Sequence, residues 1–126
     1  MTAVDRAARL LLRAQGAFYL ATGVWPLVDM TTFEAVTGPK VDDWLVQTVG
    51  VLAAAIGAAL LVGARRAVAS AETLTLAGGA ALGFAAVDLV FVLGGRIPPV
   101  YLADAAVEAL FLAGAVWTAV RSGGGR

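Results

Sequence analysis

Three carboxylates, Asp88, Asp104 and Glu108, are the residues of this chain whose types and spacing could do chemistry. They fall within residues 84–108, FAAVDLVFVLGGRIPPVYLADAAVE, where two apolar segments flank a Gly-Gly-Arg-Ile-Pro-Pro turn. A helix rises about 1.5 Å per residue, so counted from the turn Asp104 lies roughly 7 Å along its segment, Asp88 roughly 10 Å along the other and Glu108 roughly 13 Å. Asp104 and Glu108 stand four residues apart and share one helix face. If both segments cross a bilayer, the three acids overlap in depth within one half of it. A charged side chain at the bilayer centre costs about 2.5–3.5 kcal/mol on insertion scales, so such groups face a bundle interior or a wet cavity. Like charges in a poorly hydrated space are expected to share at least one proton. Three uses stay open for the cluster: a functional cavity, a structural hydrogen-bond network, or exposure to a pore between subunits.

Other polar groups lie within the apolar runs: Gln15, Tyr19, Thr22, Gln47 and Thr48. Gln47, three residues below Trp44 and level with Asp104, is expected either to line the same cavity or to make an interhelical hydrogen bond, typically worth under about 1–2 kcal/mol. Arg96 in the turn is placed to cap the acids or to snorkel. Arg13 and Glu72 fall at similar depth near the opposite end and could pair. No phosphate loop, Rossmann glycine set or nucleophile elbow is present, and Gly78-Gly79 fall in mid-helix rather than after a strand. Nothing in the pattern calls for a metal or a cofactor.

Composition says what must position these groups. Of 126 residues, 60% are hydrophobic and only 14% charged, against about 25% charged in soluble domains. The mean hydropathy is +0.87. So few charges cannot cover a soluble surface of this size, and the lipid bilayer becomes the expected surroundings. Net charge is zero, which argues against a nucleic-acid partner. The absence of cysteine and histidine removes disulfides, thiol chemistry and ordinary zinc or haem ligation.

Four apolar runs predict an all-α, four-helix transmembrane bundle in a single domain over residues 1–126, with spans near 10–29, 44–64, 72–94 and 100–120. The basic start resembles a secretory signal, but Trp25 and Pro26 stand where a small-residue cleavage site would be. Between the first two spans, Thr31 or Thr32 is expected to cap a short interfacial helix through Ala35, before a break at Gly38-Pro39. Ser70 is the expected N-cap of the third span. Gly50 and Gly57 in the second span, and Gly79 and Gly83 in the third, are the expected helix-packing positions. The last residues, from Ser122 to Arg126, read as a flexible tail. With the N-terminus inside, seven basic residues (Arg6, Arg9, Arg13, Arg65, Arg66, Arg121 and Arg126) fall on one side and two (Lys40 and Arg96) on the other. That asymmetry predicts a multi-pass protein of the inner (plasma) membrane with both termini cytoplasmic and the acids in the outer half. Trp44-Leu45-Val46-Gln47 and Tyr101-Leu102-Ala103-Asp104 form a faint echo between the two hairpins.

The runs Arg13…Gly16-Ala17-Phe18-Tyr19-Leu20-Ala21-Thr22-Gly23 and Gly50…Gly57-Ala58-Ala59-Leu60-Leu61-Val62-Gly63 resemble DoxX-like membrane proteins over about the first half of the chain. Those are small bacterial four-helix proteins with an arginine and glycines in the first helix and a Gly- and Leu-rich second. The resemblance implies a bacterial membrane protein. Some members are linked to quinone or thiosulfate redox systems, but the missing cysteines argue against thiol chemistry here, and no redox role maps onto named residues. The residues themselves point to binding or movement of a small lipophilic or cationic ligand, or of protons, at the carboxylates. A structural or accessory subunit is the competing class, and an isomerase using the acids as general acid and base the third. Four short spans enclose little space, so transport would call for a homo-oligomer.

Overall fold

The computed structural model describes residues 2–124 as five helices, with no strand among them: α1 (Ala3–Val28), α2 (Met30–Thr37), α3 (Asp43–Gly63), α4 (Ala71–Leu93) and α5 (Tyr101–Gly124). Arg126, counted above for orientation, lies outside the described residues.

Each boundary has a local cause. α1 begins well before residue 10 because Thr2 and Asp5 form a capping box: the Asp5 amide donates to Thr2 Oγ1 at 3.1 Å and the Thr2 amide to Asp5 Oδ2 at 3.0 Å, which satisfies donors the first turn leaves free. Asp29 ends α1 and opens α2, its carboxylate accepting from the Thr32 amide at 3.1 Å. The cap is therefore Asp29, not Thr31 or Thr32, both of which already lie in the helix. α2 continues past Ala35 to Thr37, where Gly38 at φ +96° turns the chain. Ser70 caps α4 through the Thr73 amide. α4 ends in a Schellman motif around Gly95 at φ +73°: the Arg96 amide reaches Phe91 O at 2.8 Å and the Gly95 amide Val92 O at 3.0 Å, and only glycine takes that left-handed backbone without strain. α5 runs through Ser122 to Gly124 rather than ending at Val120 in a loose tail.

The helices form two antiparallel pairs. α1 packs chiefly on α3 and α4 on α5, with fewer contacts from α1 to α5 and from α3 to α4. The α1–α3 seam is a glycine contact. A Cβ on Gly57 would sit 2.5 Å from Gly16 O, and one on Gly50 would sit 2.5 Å from Gly23 O, so the backbones touch directly. Gly79 and Gly83 do not share this role within the chain. A Cβ on either would meet nothing within 4 Å. The buried face of α4 is Ala77, Ala81, Ala85 and Asp88, and a residue two positions off that line points roughly 160–200° away.

α3, α4 and α5 are long and apolar enough to cross a membrane, and only 22% of the apolar window of each is buried. The remainder is an apolar surface far larger than soluble monomers expose. α1 is not among these spans by composition. It carries Asp5, Arg6, Arg9 and Arg13 in its first half, and its polar Gln15 and Tyr19 are turned inward. Around them Leu12, Leu60, Ala64, Ala77 and Ala115 form the core.

Candidate functional site

The two pairs meet closely at the end that carries the α3–α4 turn and diverge at the end that carries α2. At the first end Leu11 fills the space over Gly114, its Cδ1 lying 2.7 Å from where a Cβ would be. At the second, the divergence leaves a cavity of about 480 Å³. Its walls are mostly apolar and aromatic, including Phe18, Trp25, Phe33, Phe84 and Tyr101, and Asp88, Asp104 and Glu108 all line it. The structure thus brings together the three acids singled out from sequence.

Glu108 is only 2% exposed, and its Oε1 accepts a hydrogen bond from the Tyr19 hydroxyl at 2.5 Å. Gln15 Nε2 donates to Tyr19 Oη at 3.1 Å and to Ala77 O at 2.9 Å. Both hydrogens of that amide are therefore spent, the phenol oxygen is an acceptor, and its own proton goes to Glu108. This chain of bonds ties α1 to α4 and to α5, so it joins one helix pair to the other. The rings reinforce the joint, with Tyr19 edge-on to Phe84 at 5.4 Å and Phe18 tilted on Phe111 at 5.9 Å. Asp104 is half-buried, and its carboxyl shares hydrogen bonds with those of both Asp88 and Glu108, which requires a proton within the cluster. Asp88 is 5% exposed, and its Oδ2 has no hydrogen-bond partner. A buried carboxylate oxygen left unpaired is costly and uncommon.

α2 and the loop after it roof the cavity. Trp25 Nε1 donates to Thr32 Oγ1 at 2.8 Å, and the Trp25 ring meets Phe33 edge-on at 5.4 Å. Lys40 Nζ donates to Gly38 O at 2.8 Å, Thr37 O at 3.0 Å and Thr37 Oγ1 at 3.1 Å, and lies over the Phe33 and Tyr101 rings at 5.7 and 5.4 Å. Pro98 of the α4–α5 turn presses on Gly38, its Cγ 2.8 Å from where a Cβ would be. At the edge of the roof the Glu34 carboxyl is held above the usual glutamate range, first by its hydrogen bond with Asp43 and then by partial desolvation and that neighbour's charge.

Other expected participants fall elsewhere. Gln47 is exposed and does not line the cavity. The buried face of α3 is Gly50, Ala53, Gly57 and Leu60, which Val46 continues, and one further residue rotates the side chain by about 100°. Thr48 bonds its own helix at Trp44 O. Arg96 is exposed and off the cavity wall, and Arg13 and Glu72 are exposed with no ion pair between them. In the sequence Lys40 stands out only as a loop charge. The signal for Gln15 and Tyr19 was present, since both fall on the stripe of Leu12, Gly16 and Gly23. No family model, curated protein or solved structure matches the chain.

Proposed function

We propose that this is a four-helix inner-membrane protein, with both termini cytoplasmic, that binds a small lipophilic or cationic molecule in the cavity between its two helix pairs. The observation that carries the reading is the meeting of an apolar, aromatic cavity with three clustered acids, one of them buried with an unpaired oxygen. Ligand sites are commonly concave spaces of about 300–1,000 Å³ with apolar walls and a few convergent polar groups.

α1 is the fourth span in this reading. It lies antiparallel to α3 along the glycine seam, and its polar Gln15 and Tyr19 are satisfied inside the bundle, as intramembrane polar groups must be. The arginine asymmetry supports an outer-half position for the α2 end and its cavity. A DoxX-like membership fits this size and helix number and is proposed on the residues quoted above.

Trp25 lines the cavity, whereas Trp44 and Trp117 are 66% and 41% exposed. In protein carrying Trp44→Phe and Trp117→Phe, brominated benzyl compounds should quench Trp25 fluorescence saturably. Val46→Phe, which fills the cavity from α3, should abolish the saturable part while helicity is kept. Linear quenching that is the same in both proteins would remove the ligand site and leave a structural or accessory subunit as the better description.

A further inference from the structure

We infer that the molecule held in this cavity is an organic ammonium carrying at least one N–H, with an apolar or aromatic body, and that Asp88 Oδ2 accepts a hydrogen bond from that N–H. The inference rests on the ligand-binding reading above and names the class of ligand.

The argument is an inventory of donors and acceptors on the cavity's acidic side. Gln15 has spent both amide hydrogens, on Tyr19 and on Ala77 O. Tyr19 has spent its hydroxyl hydrogen on Glu108. Asp104 brings a carboxyl to a place that already holds two. The acids share hydrogen bonds among themselves through Asp104, which takes up the protons they hold, and Asp88 Oδ2 is the acceptor still left buried and unpaired. A ligand that completes this site must supply hydrogen, and three adjoining acids favour one that supplies positive charge with it.

The remaining walls narrow the class. Among the described residues no group of three or more His, Cys, Asp or Glu side chains is arranged to hold a metal ion, so a directional N–H donor suits these acids better than a bare cation. The aromatic faces suit an ammonium with an apolar body. The molecule already holds one such group near the roof: the primary ammonium of Lys40 lies over Phe33 and Tyr101 with three oxygen acceptors. Lys40 is committed there to Thr37 and Gly38, which leaves Asp88 to an outside donor.

Three probes with one bromobenzyl body separate the possibilities in the protein whose only tryptophan is Trp25: bromobenzylamine, bromobenzyltrimethylammonium and bromobenzyl alcohol. The first has charge and N–H, the second charge alone, the third a neutral donor. At neutral pH the amine should bind roughly tenfold or more tighter than either of the others, as loss of a charge-assisted hydrogen bond implies. Asp88→Asn should erase that preference by weakening the amine roughly tenfold. Equal binding of the amine and the trimethylammonium compound, or of the amine and the alcohol, would overturn the inference and leave the cavity as a site of another specificity. Saturable quenching by none of the three would overturn both the inference and the ligand-binding reading. A preference for the amine that survives Asp88→Asn would move the contact off Asp88 and refute its assignment.

Discussion

The contact within the α1–α3 pair and the contact between the two pairs are built by opposite means. Along the α1–α3 seam, glycine lets one backbone lie on another, with Gly16 against Gly57 and Gly23 against Gly50. Between the two pairs, by contrast, aromatic rings and a hydrogen-bonded chain from Gln15 through Tyr19 to Glu108 set the spacing. Toward α2 that spacing opens into a cavity. The difference teaches how the fold is held: the tight seam joins α1 to α3, and the polar joint sets the spacing between the pairs.

The sharpest way to break this comparison is to add one methyl group to each kind of glycine. Gly57→Ala would put a Cβ 2.5 Å from Gly16 O and 2.6 Å from the Leu20 amide nitrogen, both backbone atoms that cannot swing aside. Overpacking of this kind costs about 1–3 kcal/mol, and the upper end is expected here. Gly83→Ala meets nothing within 4 Å and gains up to about 1 kcal/mol of helix propensity. Thermal melts in detergent should show a clear fall for the first variant and no fall for the second. Equal losses would mean that Gly83 is covered in solution by another copy of the chain, and that the small residues of α4 form a seam of their own.

A smaller effect is expected at the joint. Tyr19→Phe removes the proton that Glu108 receives and the oxygen on which Gln15 rests. Stranding buried polar partners costs about 1–3 kcal/mol. Glu108→Gln should be milder, because the amide oxygen still accepts from Tyr19. Melting temperatures in that order, wild type and Glu108→Gln together above Tyr19→Phe, would support the joint as described. If Tyr19→Phe melts like wild type, the hydrogen-bonded chain does not hold the pairs together.

How much of this was legible in the sequence depends on whether a feature is local. α3 and α4 lie within one residue of the expected spans, because Asp42, Arg65, Ser70 and the double glycine at 94–95 mark their ends locally. The three acids were legible because a charge in an apolar run is conspicuous and the turn between them fixes their depth. Helix facing was less so. Gln47 sits one residue from Val46, yet Val46 lines the cavity and Gln47 does not. Gly79 and Gly83 have the right spacing for packing and the wrong side of α4. In alanine-rich helices small residues occur on every face, so spacing alone does not choose between them. Tyr19 and Glu108 are 89 positions apart, and no local pattern encodes such a pairing.

The smallest effect is expected at the roof, where a second pair of acids meets in contact with water. Glu34 on α2 and Asp43 at the start of α3 share a hydrogen bond, which requires a proton on one of them, and that bond is the first reason the Glu34 carboxyl is held above its ordinary range. Lys40 opposes the shift through a hydrogen bond and its charge but does not cancel it. A folded-state value above the unfolded one means that folding favours the protonated acid. The contribution is therefore complete below the ordinary glutamate pKa and is lost as pH rises through the raised value. Glu34→Gln keeps a donor to Asp43 at every pH and should flatten this dependence. Melting curves of both proteins in detergent, from about pH 4 to pH 8, should show wild type gaining on the variant as the solution is acidified. The change should be small, because the pair is exposed and solvent screens it. A constant difference across that range would show that α2 is held over the cavity by Lys40, Phe33 and Trp25 alone, with no shared proton at its edge.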